Sequence, residues 1–518
     1  MRSVQFRVFT AGVVLAAVGI GAWQLVPSDG VRNDPITVGT TDTVSSLDPA
    51  GAYDAGSWAL YSNVFQTLMT MRPGSDTPVP DAADSCGFVG QKLTTYECEL
   101  REGLTFSNGR EVTAADVKHS FDRVLEIDSE QGPKPLFATL KSVRTRGSTI
   151  TFNLSSRDAT FPFKVATGAG SIVDREKYPA KELRTGDGVD GSGPYVLTSF
   201  DADSRAELKP NTSYEGQASA AHVPVTIRYF QESEELERAW KSHGVDVTHR
   251  EMPPKVLAGL TPGLPDIRIQ ESEGAEIRTL IFNVRKGSQM ARKGVRKAVA
   301  AVLDRPRLAN SVYHGTVDPL YSLIPQGIGG HSTPFFDAYP EPSRDRARTL
   351  LREAGVRTPV RFSLAFSVRG ATKAEAEEMR RQLEDTGLFE VKLIAVPEWT
   401  TFQKGYAAGK YDAYTIGWIA DFPDPDNFSQ PLVGTNTSMN NGFSDKEIDE
   451  LIVKTQSYGE RGRASKDFKT LQRLVADEVP MVPLWQKKDY VLSREAVTGA
   501  QYLSDGTGVW RLWELNWL

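Results

Sequence analysis

Hydrophobic and polar positions change period along this chain, and each change marks an element. Ile36-Thr-Val-Gly-Thr alternates with the period of a first strand. Residues 149–230 read mostly as strands, 232–240 as a helix, and Gly244-Val-Asp-Val as a short strand. From Glu276 onward strands and helices exchange regularly. Arg278-Thr-Leu-Ile-Phe-Asn-Val reads as a buried strand, and 295–305 as a helix with Val295, Val299, Val302 and Leu303 inward. A helix over 344–354 closes at Gly355, a strand follows over 360–367, and a helix over 374–385 closes at Gly387. Strand 389–396 then leads to a helix over 399–408. Such an exchange predicts an α/β lobe whose ligand sits at the carboxyl ends of its strands. Near the end, 444–455 is a helix with Ser444 and Glu447 as a capping box and Ile448, Leu451 and Ile452 on its apolar face.

The stretch that organises the rest is residues 411–428, YDAYTIGWIADFPDPDNF. Its first half alternates as a buried strand, with Tyr411, Ala413, Thr415 and Gly417 on one side and Tyr414, Ile416 and Trp418 on the other. Two prolines then stop the ladder and force a turn. Asp421 is thereby delivered to the mouth of an aromatic strand end, beside Trp418 and Phe422, which is a place to hold a cation. The plainer reading is a turn aspartate beside core aromatics.

Composition narrows the class. At 518 residues, with 40% hydrophobic and 24% charged, the chain has material for two or more domains. A net charge of −6 without basic runs argues against a nucleic-acid partner. Residues 1–30 stand outside the fold: Arg2 and Arg7 precede an uncharged apolar run of 19 residues, Val8 to Val26. That run is long for a signal-peptide core and at the lower edge of a membrane span, so a cleaved signal peptide and a retained anchor both stay open. Either way, everything after Pro27 is expected outside the cytoplasm. The only two cysteines, Cys86 and Cys98, are expected to form a local disulfide in that compartment, two free buried thiols being the alternative. The six histidines are scattered with no pair at i, i+4, so no metal or other cofactor is expected.

Several strings resemble one family in order along the chain. GWIADFPDPDNF is similar to the corresponding segment of the bacterial extracellular solute-binding proteins of family 5, the oligopeptide- and dipeptide-binding components of ABC importers. YECELREGLTFSNGREVTAADVKHSFDRVL, residues 96–125, resembles that family's strand, hairpin and helix signature, and its physics agrees. Asn108-Gly109 is a hairpin turn signal, and Thr113 and Asp116 are placed as helix cap and first-turn acid. Ser46-Leu-Asp-Pro, residues 63–68 as a helix, Ser192-Gly-Pro-Tyr, IFNV with GVRKAVAAVLDR, and FKTLQRLVADEVPMVPL continue the likeness over roughly residues 35 to 500.

The resemblance implies an α/β, two-lobed clamp of the periplasmic-binding-protein kind, with an inserted subdomain in the first lobe and two crossing segments as hinge. The expected division is 31–52, 190–273 and 490–518 for lobe I, 53–189 for its inserted subdomain, and 274–489 for lobe II. It also implies the site. Asp421 matches the family position that takes a peptide's α-ammonium, and Trp418 and Trp399 match aromatic positions lining the cavity, with Phe422 beside them. Arg369 stands where dipeptide binders carry an arginine for the α-carboxylate, a role suited to a guanidinium fork. However, RGATKAEAEE around it departs from that motif, and a solvated loop arginine is the alternative. The implied partners are a short peptide and the permease subunits of an ABC transporter, met by a monomer. Enzyme motifs such as G-x-S-x-G, H-E-x-x-H and the P-loop are absent, so no enzyme is expected. An acidic-pair hydrolase using Asp421 with Asp424 or Asp426 stays open, as does a sugar or nickel-chelate binder of the same fold.

Overall fold

Two long antiparallel strands, Ile267–Phe282 and Met481–Arg494, form the spine of the protein. The computed structural model describes residues 34–518, Ala220 and Pro262 apart, so the expectation for the first 30 residues lies outside it. An eleven-stranded sheet is built outward from that spine in both directions. On one side it adds Ala413–Ile419, Val360–Ser367 and Phe389–Val396; on the other it adds Val247–His249, Ile36–Thr40, Val225–Tyr229, Arg205–Pro210 and Tyr195–Asp201; the eleventh strand, Val317–Pro319, pairs with Met481–Arg494 off this path.

Each half of the sheet has its own core, which makes the molecule two-lobed. One cluster runs from Ala275 to Trp485 and is referred to here as lobe II. The other draws on residues from Ile36 to Val247 and from Val491 to Leu515, and marks lobe I. The two spine strands pass between them, and their ladder shifts register between Glu273 and Ile277. Such an irregularity bends a strand. Gly274 lies at this bend, where a Cβ would stand 2.4 Å from the carbonyl oxygen of Lys487. Only a residue without a side chain allows the strands to approach so closely.

A separate four-stranded sheet adjoins lobe I, in the order Ala83–Phe88, Thr95–Leu100, Thr149–Leu154 and Leu140–Arg146. Cys86 and Cys98 are cross-strand partners in it and are joined by a disulfide. Helix Ala114–Ile127 packs on this sheet through Val117, Phe121 and Val124. Its opening follows the expected logic: the Asp116 carboxylate accepts from the backbone N–H of Thr113 at 2.9 Å.

Three local expectations need correction. The helix placed at 63–68 is Ala55–Val64, opened by Asp54, whose carboxylate accepts from Ser57 N at 2.8 Å. It stops at Phe65, and the Val64 carbonyl takes Gly193 N instead of continuing the helix. The single helix over 295–305 is two, Lys293–Ala300 and Arg305–Ser311. Asp304 caps the second and Pro306 follows, a pair that starts a helix and disfavours running through. The cap of Lys446–Thr455 is Asp445, which accepts from the N–H groups of Glu447 and Ile448; Ser444 is bonded to Thr435.

Candidate functional site

Strand Ala413–Ile419 pairs parallel with Val360–Ser367 at its start, through Ala413 and Tyr414, and antiparallel with Ile267–Phe282 along its whole length, so its carboxyl end is held by Glu276 and Ile277. Beyond it the chain turns on a short 3-10 helix, Pro425–Phe428, opened by Asp424, whose side chain accepts from Asp426 N at 2.9 Å. That turn brings Asn427 back beneath the strand end. Its Oδ1 accepts from Asp421 N at 2.9 Å and from Trp418 Nε1 at 3.2 Å, and its Nδ2 donates to Asp421 Oδ2 at 2.7 Å. One asparagine thus sets the positions of both Trp418 and Asp421.

From lobe I, Tyr53 donates its hydroxyl to the same Oδ2 at 2.6 Å. Its ring stacks on Trp58 with centroids 5.2 Å apart and meets Trp418 edge-on at 6.5 Å. Asp421 Oδ2 is therefore saturated by two neutral donors, while no hydrogen bond from the described residues reaches Oδ1. Among the described residues no cation forms an ion pair with this carboxylate. Burial pushes its pKa up to about 6, against the hydrogen bonds of Tyr53 and Asn427 and the field of Lys164, which pull it down. Chemically this is a shielded acceptor one cation short.

A second charged group crosses between the lobes near the spine. Lys487 Nζ lies 3.0 Å from Glu251 and 3.4 Å from Glu276. Lys487, with the burial of the site opposing it, holds the Glu251 carboxyl below the usual carboxylate range. Arg250 lies 3.2 Å from Asp42, and His249 Nε2 is 2.8 Å from Asp489. Arg250 and Glu251 both have positive φ, 65° and 52°. Two consecutive side-chain-bearing residues in the left-handed region mark a backbone held by its surroundings.

The expected site residues are distributed unevenly. Asp421 and Trp418 come together with Tyr53 and Asn427, and Trp418 is half-buried there. Arg369 is exposed on the loop after Val360–Ser367 and spans the lobes, donating to the Thr41 carbonyl at 3.2 Å. Its charge also helps lower the Glu251 pKa. Phe422 is displaced from the expected position: it is 2% exposed and stacked on Phe163 at 5.6 Å in the core of lobe I. With Asp421 turned toward Tyr53, its neighbour faces away from the cleft. Trp399 is 46% exposed at the first position of helix Trp399–Ala407, with its ring near Phe402. An N-terminal helical position has no preceding turn to cover it, and the side chain stays in solvent. Tyr53, Asn427 and the Glu251–Lys487 pair were not singled out from sequence. Asn427 alone carried a signal, as the last polar residue of the Pro-Asp-Pro-Asp-Asn turn.

The model for bacterial extracellular solute-binding proteins, family 5, matches residues 77–440. Di/tripeptide-binding protein 1 of Pseudomonas aeruginosa is 24% identical over 487 residues, covering 88% of this chain and 89% of that protein. A periplasmic binding protein of Helicobacter pylori in complex with the peptide STSA superposes with a TM-score of 0.80 at 20% identity, covering 93% of this chain and 98% of that one. The murein tripeptide binding protein of Escherichia coli gives 0.82 at 19% identity over 94% of this chain and 99% of its own; a murein tripeptide binding protein in its unliganded open form gives 0.68. With well over half of its length matched and the two-lobed α/β architecture shared throughout, this chain belongs to the bacterial extracellular solute-binding proteins of family 5.

Proposed function

We propose that this chain captures short peptides by their free amino end in the cleft between its lobes and delivers them to the permease of an ABC transporter. The observation that carries the reading is the state of Asp421: one carboxylate oxygen is held by Tyr53 and Asn427, and among the described residues the other has no donor and no cation forms an ion pair with it. A peptide α-ammonium supplies three donors and the missing charge. Leaving a buried charge without its partner costs about 3 to 5 kcal/mol, or roughly a hundred- to several-thousand-fold in affinity. Trp418 and Tyr53 flank the ammonium, and Arg369, on the loop that reaches Thr41, is the candidate for the carboxylate end. The relatives named for di/tripeptides and the neighbour holding STSA support the same ligand class. In this reading the lobes divide at 273/274 and 489/490, with 53–189 inserted in lobe I. The chain acts outside the cytoplasm as a monomer, binding its ligand and not converting it.

The test is calorimetric titration of the purified chain with short peptides and their N-acetylated twins. Binding of the free peptides, lost on acetylation, is the expected result. Equal binding of both forms refutes the ammonium seat, and no binding by any peptide refutes the ligand class.

A further inference from the structure

Lobe II touches lobe I at a second place, outside the cleft. Among the described residues from 275 to 485, Phe422 alone belongs to the core of lobe I, where it stacks on Phe163, itself 5% exposed. Beside this stack, Ala159 N donates to the Gln456 carbonyl at 2.8 Å, joining the segment after the small sheet to the end of helix Lys446–Thr455. The Gln456 side chain in turn donates to both oxygens of Asp426, at 3.1 and 3.2 Å. The remaining charges are buried around this contact. Lys164 lies 2.8 Å from Asp158, and Arg461 grips Asp424 through two hydrogen bonds of 2.7 and 2.8 Å. Asp426 faces Lys164, Asp424, Asp158 and Arg461. Three carboxylates thus share two cations, and one carboxylate is in surplus.

We propose that this contact is a latch that closes the two lobes on its own, so that the ligand-free chain already populates the closed arrangement. Opening the lobes exposes both phenyl rings to water and separates Ala159 from Gln456, whereas the cleft contacts Tyr53–Asp421 and Arg369–Thr41 are polar and are readily exchanged for water. The apolar part of the latch favours closure. The surplus carboxylate opposes it, because closing buries a charge that lacks a full partner. The ligand then adds to a closure already favoured.

The latch is tested without ligand, so its failure and the failure of peptide capture are separate results. Neither described cysteine is free, which allows spin labels at Lys141→Cys and Lys446→Cys, two exposed positions, one on the small sheet and one on lobe II. Distances between them are measured by pulsed electron resonance in the full chain freed of bound ligand. A substantial closed population is expected without ligand. Phe422→Ala lowers the closed-to-open ratio by about tenfold or more. Asp426→Asn, which removes the surplus charge and keeps an acceptor for Gln456, raises it. A ligand-free chain showing only the open distance overturns the proposal, and so does an Asp426→Asn chain whose closed share stays the same or falls.

Discussion

Asp421 and Asp426 stand on one loop, and burial pushes both of their pKa values up to about 6. Their surroundings are nonetheless opposite. Among the described residues Asp421 meets two neutral donors on one oxygen and none on the other, beside the edge-on rings of Tyr53 and Trp418. Asp426 is 3% exposed, has both oxygens bonded to Gln456, and sits in the fields of Lys164 and Arg461. The difference teaches that a displaced pKa does not by itself mark a binding residue. In the proposed reading the mark is the acceptor oxygen without a donor, whereas the oxygens bonded to Gln456 belong to the packing between lobes.

The largest expected effect comes from breaking the cleft side of this pair. Asp421→Ala lowers the affinity for free-amino peptides by roughly a hundred- to several-thousand-fold in calorimetry, because the ammonium is left buried without a partner. Acid is the next lever. An ammonium requires the ionised carboxylate, so with the Asp421 pKa pushed up to about 6 the affinity is expected to be flat above pH 7 and to fall as pH drops through 6. At pH 5 it is about tenfold weaker, and N-acetylated peptides show no such slope. The latch has the opposite sign. In the latch reading, closure supplies part of the burial that pushes the Asp426 pKa up to about 6, so the ligand-free closed share is expected to rise as pH falls through about 6, and less so in Asp426→Asn.

Tyr53→Phe probes the hydrogen bond that crosses to Asp421. A hydrogen bond to a charged group contributes about 1.5 to 3 kcal/mol, and part of it exists only when the lobes meet, so affinity falls by about tenfold at pH 7. Away from both carboxylates, replacing Cys86 and Cys98 by alanine removes a 12-residue loop closure and lowers unfolding stability by roughly 3 kcal/mol in denaturant titration, with peptide affinity unchanged. Smallest of all is Trp399→Ala, expected to leave affinity within about twofold, since that ring is half in solvent and its ring partner, Phe402, lies on the same helix.

Much of this was legible in the chain, for identifiable reasons. Strands Val360–Ser367 and Phe389–Val396 match their expected bounds because apolar runs there end at turn residues or glycines. The Thr113–Asp116 cap and the Gly355 stop, at φ 64°, follow from local rules that need no tertiary partner. Asp421 was legible as the acid after an aromatic strand end. What was not legible depends on distant segments. Tyr53 reaches Asp421 from 368 positions away, and nothing around Tyr53 in the sequence announces it. Phe422 was misplaced for the same reason: its partner Phe163 belongs to a different core. The split of 295–305 into two helices turned on Asp304 and Pro306, which the apolar spacing alone passed over.

The central claim is that Asp421 itself receives the ligand's ammonium, and a two-by-two titration tests it most directly. One short peptide and its N-acetylated twin are titrated into the unaltered chain and into Asp421→Asn, which keeps the hydrogen-bonding shape and removes the charge. The account expects the preference for the free peptide to be at least about a hundredfold in the unaltered chain and close to one in the variant. A preference that survives intact in Asp421→Asn would contradict it and send the ammonium to another acceptor in the cleft.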